Sequence, residues 1–144
     1  VRIVRAALQA AQRTAIARQS AVIVGVDEAA SRLRIHEDAD ADGTVDSGER
    51  VRTEPLQEGV VLAAPGAGVN GGGGEAVVGT NLRDRDGLPT VTFRRDGSAS
   101  SDLEVYLRAR SGEDGSWRAV TVSPGTGRVD AWRLSGTEWR RMRP

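Results

Sequence analysis

From Val1 to about Gln19 the apolar residues Val4, Leu8, Ala11 and Ala15 recur at spacings of four, three and four, while Arg2, Arg5, Gln9, Gln12 and Arg13 fall toward other faces. This pattern predicts one amphipathic helix over residues 1–20. Its stripe is rich in Ala, so it is narrow and flat, which suits close packing on a sheet; Val4, Leu8, Ala11 and Ala15 are assigned to that packing face and not to a ligand site. After Ser20 the period changes. Short β-rich runs follow at Ala21 to Val26, Arg32 to His36, Glu49 to Thr53, Gly59 to Ala63, Thr90 to Arg94, Leu103 to Arg108, Arg118 to Ser123 and Arg128 to Leu134. Turn signals such as Asp96-Gly97, Asp114-Gly115 and Pro124-Gly125 separate them. The alternation in Val91 and Phe93, and in Leu103, Val105 and Leu107, marks strands with one buried face. The fold class is therefore α+β: an N-terminal amphipathic helix packed on antiparallel β-sheets, with the β-domain over residues 21–144. Residues 65–89, which include the run PGAGVNGGGG, are expected to form a long flexible glycine-rich loop.

At 144 residues the chain is one domain, long enough to bury a core without disulfides or a structural metal. The absence of cysteine removes thiol nucleophiles, CxxC redox chemistry and thiolate metal sites together. Twenty basic and twenty acidic residues cancel, so no net field draws the protein to nucleic acid or an acidic membrane. Every basic residue other than His36 is Arg, which reads as a coding bias toward GC-rich codons rather than a binding specialisation. No apolar run approaches the roughly 18 residues of a membrane span. The chain opens at Val1 inside the expected helix, without an initiator Met or a capping residue, so an upstream segment is expected to carry any localisation signal.

The sharpest chemical signal is Asp38 to Glu49, DADADGTVDSGE. Asp38, Asp40 and Asp42 stand where a calcium loop places its first ligands, Gly43 at its sharp turn, Thr44 at the carbonyl ligand, then Asp46 and the closing Glu49. Ca2+ is the ion this pattern would take. The flanks, Leu33 to His36 and Arg50 to Thr53, alternate like strands, so the loop is not part of an EF-hand, and a solvated hairpin turn is the competing reading.

Other candidates carry less. Gly66, Gly68 and Gly71 form a GxGxxG, but no helix is expected to follow and there is no Walker lysine, so a linker loop is the reading. His36 is the sole histidine, with no GxSxG elbow beside it, and is expected to be an exposed strand-end residue. Glu113-Asp114 and Asp84, Asp86 are read as solvated turns. No nucleophile, base and orienting group can be assembled, which argues against an enzyme.

Three segments taken together resemble the periplasmic part of the minor pseudopilins of type II secretion and type IV pilus machinery, the GspH/FimT family: AQRTAIARQSAVIVGV (Ala11 to Val26), VTFRRDGSAS (Val91 to Ser100) and RAVTVSPGTGRVDAWR (Arg118 to Arg133). The resemblance covers most of the chain, with a gap over about Ala64 to Leu88. It implies a pilin-like fold, a prepilin-peptidase site, methylation and an apolar helix half upstream of Val1. It also implies inner-membrane anchorage, a periplasmic β-domain, and a non-enzymatic place at or near the tip of a filament. Partners would be other pseudopilins or pilins, and a secreted substrate. Some FimT-like relatives are thought to capture DNA through a C-terminal Gly-Arg-x-Arg element; the matching stretch here, Gly127-Arg128-Val129-Asp130, carries an acid at the second Arg. A DNA-capturing pilin using Arg128, Arg133, Arg140, Arg141 and Arg143, interleaved with Trp132 and Trp139, is the first alternative, although both Trp are expected to close the core. A secreted calcium-binding β-domain is the second.

Overall fold

A computed structural model of the chain describes residues 1–40, 48–112 and 115–143. One helix, α1 (Arg2–Arg18), is followed among the described residues by ten strands. The first sheet has the order β3 (Val51–Pro55), β2 (Arg32–Asp38), β1 (Ala21–Asp27), β6 (Thr90–Phe93). The second runs β10 (Glu138–Arg141), β9 (Val129–Ser135), β8 (Arg118–Val122), β7 (Leu103–Ala109), β4 (Val60–Leu62), with β5 (Val77–Val78) also paired to β7. Every pairing is antiparallel.

The stripe read in the sequence is the packing face of α1: Val4, Leu8, Ala11 and Ala15, joined by Ala7, are buried against the sheets. The helix packs chiefly on β1 and also reaches β2, β6 and β9, so its flat face lies over both sheets. Val22, Val24, Val26, Leu33, Ile35, Val91 and Phe93 meet it from the first sheet, and Leu103, Val105, Leu107, Val120, Val122 and Val129 from the second, in one continuous core. The helix stops because Gln19 turns left-handed at φ 50°, which lets the Ser20 N–H bond the Ala15 carbonyl at 3.1 Å.

Two expectations need correction here. Residues 65–89 are not one structureless loop. Ala76 and Val77 are buried, β5 pairs with β7, and the Tyr106 N–H bonds the Ala76 carbonyl at 2.8 Å. The short apolar run after the glycines supplies enough buried surface to join the sheet. Trp132 and Trp139 do not close the core. They lie on the outer face of the second sheet, opposite Val129 and Ala131, because Trp132 follows the inward-facing Ala131 by one residue.

Candidate functional site

The three segments that carry the resemblance converge on one place, the mounting of α1. Gln12 points from the helix and its Nε2 donates to the carbonyls of Gly97 and Thr126, each at 3.0 Å. Gly97 turns the chain after β6 and Gly127 turns it between β8 and β9, with φ of 88° and 69°. Both glycines are needed for closeness as well as for φ. A Cβ on Gly97 would stand 2.9 Å from Ile16 Cδ1, and one on Gly127 would collide with the Gly97 carbonyl. Gly127, which aligns with a DNA-capturing element in the sequence, serves here to seat the helix.

At the far end of β2 three ionisable side chains meet. Asp38, read as the first residue of a loop, is the last residue of β2 and only 2% exposed. His36, expected to be exposed, is 6% exposed: β3 pairs alongside it at Val51, and Glu49 closes on the ring nitrogen. His36 Nε2 lies 2.9 Å from Glu49 Oε1. The other Glu49 oxygen accepts the Ala39 N–H at 2.7 Å and, more weakly, the Asp40 N–H at 3.5 Å. One ligand atom from each of His36, Asp38 and Glu49 can be chosen so that all lie within 4.8 Å of one another. Asp40 is exposed, and Asp42, Thr44 and Asp46 lie outside the described residues, as do Glu113 and Asp114. The sequence placed Asp38 and Glu49 together but missed His36; the signal available was its position two residues before Asp38, on the same face of the strand.

The same face of the first sheet carries a groove of about 290 Å³ lined by Ile23, Gly25, Arg34, His36, Val51 and Asp84. Asp84 and Asp86 are not merely solvated turn residues. Both carboxylates bond the Arg34 guanidinium, Asp86 at 2.6 Å, and Asp84 Oδ1 also accepts the N–H groups of Asp86 and Leu88 at 2.9 and 3.0 Å. The hydrogen bond that Arg34 donates to Asp86, then the one it donates to Asp84, holds the guanidinium above its ordinary pKa in spite of partial burial.

The C-terminal arginines do not form one surface. Arg128 and Arg141 lie on the outer face of the second sheet, and both reach Asp130, at 2.9 and 3.9 Å. Arg141 also sits 5.1 Å over the Trp132 ring. Arg133 and Arg140 are register partners that point to the opposite face, where Arg140 pairs with Glu138. Arg143 offers its backbone carbonyl to Arg5. Period-two geometry therefore splits a cluster that looks continuous in the sequence.

A helix laid on two antiparallel sheets and mounted by two glycine turns defines a pilin-like fold. The model of the family described as Type II transport protein GspH matches residues 1–127, and the chain belongs to that family. Two solved structures share the fold. The minor pseudopilin EpsH from the type 2 secretion system of Vibrio cholerae is 15% identical with a TM-score of 0.59, covering 93% of this chain and 92% of that one. The type IV minor pilin FimU of Pseudomonas aeruginosa is 15% identical with a TM-score of 0.51, covering 94% and 86%. Among curated proteins no sequence match reaches significance. Among the described residues no helix is long and apolar enough to cross a membrane.

Proposed function

We propose that this chain is the periplasmic domain of a minor pseudopilin that works without catalysis, as a subunit at or near the tip of a type II secretion pseudopilus or a type IV pilus. The observation that carries the reading is the one-sided burial of α1. Val4, Ala7, Leu8, Ala11 and Ala15 are sealed against the sheets, while Arg2, Ala6, Arg13 and Ala17 stay exposed along the other side. A helix held in this way offers neighbouring subunits a fixed face of alternating arginine and alanine, on which a second helix can pack alongside. Family membership supports the structural role, and the likeness to EpsH and FimU supports the fold that serves it. Inner-membrane anchorage belongs to the same reading and rests on an apolar helix half upstream of Val1.

The test is in the native host. Deleting the gene should abolish either export of secreted proteins or pilus function, and which of the two is lost assigns the machine. Complementation with Ala6→Glu and Arg13→Glu together should fail although the variant domain keeps its melting temperature, because only the exposed face has changed. Full complementation by that variant would remove the helix-packing role. A coding region upstream of Val1 that lacks a basic leader and about 20 apolar residues would remove the membrane-anchored filament reading altogether.

A further inference from the structure

We propose that His36, Asp38 and Glu49 form a binding site for a divalent metal ion of the zinc class. Three features of the geometry lead there, and none depends on the filament role.

First, the donors are of mixed chemistry and are already gathered. An imidazole nitrogen and two carboxylates approach within 4.8 Å of one another, and His36 Nε2 and Glu49 Oε1 are 2.9 Å apart. A tetrahedral ion bound at about 2.0–2.1 Å from each donor holds its ligands roughly 3.4 Å apart, so entry of the ion requires movements of only about an ångström. Second, the donors are buried. Asp38 is 2% exposed, and the side chains of His36 and Glu49 are 8% and 5% exposed. Enclosing two carboxylates is costly unless positive charge joins them, and a dication supplies more than a protonated imidazole can.

Third, one of the donors is an imidazole nitrogen, which zinc takes and calcium, an oxygen-ligand ion, does not, and Glu49 is oriented toward it. A calcium loop uses its closing Glu through both oxygens. Here Oε2 accepts the Ala39 N–H at 2.7 Å, and Oε1 is aimed at the His36 nitrogen. That arrangement is a single carboxylate oxygen oriented by an outer hydrogen bond beside an imidazole, as in zinc sites. Three protein donors leave the fourth position of a tetrahedral ion to a water, and His36 is also part of the lining of the groove on the first sheet.

The test uses the whole chain without an affinity tag, stripped with EDTA and titrated with Zn2+ and, separately, Ca2+. Calorimetry should find one Zn2+ bound saturably, with a melting temperature raised by several degrees, while equal Ca2+ does neither. His36→Gln and Glu49→Gln should each weaken Zn2+ binding by at least about the 10–100-fold that loss of a mere outer-shell partner costs. Because His36 is the only histidine, its imidazole nitrogen resonances can be followed in the unaltered protein, so the result stands even where a variant fails to fold. One equivalent of Zn2+ should move the Nε2 signal. An unmoved imidazole in the presence of bound Zn2+, absence of saturable binding, or stabilisation by Ca2+ alone that survives His36→Gln would each overturn the proposal.

Discussion

The ring of Tyr106 lies 5.6 Å from that of Trp139, tilted at 54°, and between them the two residues strap the glycine-rich segment onto the second sheet. The Tyr106 hydroxyl accepts the Val69 N–H at 2.9 Å and donates to Glu104, while the Trp139 indole N–H bonds the Ala67 carbonyl at 2.9 Å. Tyr106 is fully buried by that segment although it points away from the main core. Burial first, and then its hydrogen bond to Glu104, pushes the phenol well above its ordinary value of 10. The folded state therefore holds the phenolic proton over a range where the unfolded chain has lost it. The stabilising contribution is complete below pH 10 and declines as pH rises above that value. Alkaline melts should show a loss of stability that starts above pH 10 and is largely absent in Tyr106→Phe, whose stability is lower at neutral pH. Parallel alkaline curves for the two proteins would mean that the hydroxyl is not held as described.

The same contact fixes what residue 68 can be. A Cβ on Gly68 would stand 2.5 Å from the Tyr106 hydroxyl and 3.2 Å from Gly72 backbone atoms, whereas one on Gly74 would meet nothing within 4 Å. Gly68→Ala should destabilise by about 1–3 kcal/mol through forced displacement of the loop or the tyrosine. Gly74→Ala should stay within about 0.5 kcal/mol of the parent. Urea denaturation of the pair measures both, and equal effects would show that the loop is not held against Tyr106.

At the helix mount the difference should be larger. Gly127 has φ of 69°, and its missing Cβ is the space taken by the Gly97 carbonyl, which also accepts from Gln12. Gly127→Ala adds a left-handed backbone cost of about 1–2 kcal/mol to a clash between two backbones, neither of which can rotate away. The expected loss is at least about 3 kcal/mol. Gly136 has nearly the same φ, 64°, with nothing within 4 Å, so Gly136→Ala should show the backbone cost alone. Thermal melts that put the two variants level would separate α1 from the Gly127 turn.

These positions also show what a linear reading can and cannot reach. The helix and its buried stripe were legible because the period of Val4, Leu8, Ala11 and Ala15 is local and the stripe has one destination. Most strands were legible for the same reason, although β10 was missed because Glu138 to Arg141 has no apolar alternation, only Trp139 to hold it down. Ionisable partners are where the reading stopped short. Asp84 and Asp86 stand in the turn that was expected, but Arg34, fifty residues before Asp84 on β2, supplies their cation. His36 looks exposed until the chain returns through Glu49. Both depend on contacts across the sheet that no local spacing encodes. The Gly97 and Gly127 turns were visible as a resemblance, but their reason, a shared seat for α1, needed the fold.

Asp130 decides whether the arginine-rich C-terminal segment can act on a polyanion. Its carboxylate, 15% exposed, takes Arg128 at 2.9 Å and lies 3.9 Å from Arg141, so one acid holds both outer-face cations nearest Trp132 and offsets half of their charge. Arg133 and Arg140 face the other way and cannot join them on one strand of nucleic acid. Single-strand recognition needs aromatic stacking and cations along the same track, and here the Trp132 face is occupied by Arg141. The parent protein should therefore pass through a single-stranded DNA column at about 0.15 M salt. Asp130→Asn releases Arg128 and Arg141 while keeping a side chain of the same shape. It should bring weak retention at low salt, with the logarithm of affinity falling by about 0.7 per phosphate engaged, a slope of roughly one to two in all. Strong retention of the parent with a slope of several would restore the DNA-capturing reading and show that Asp130 does not hold its two arginines in solution.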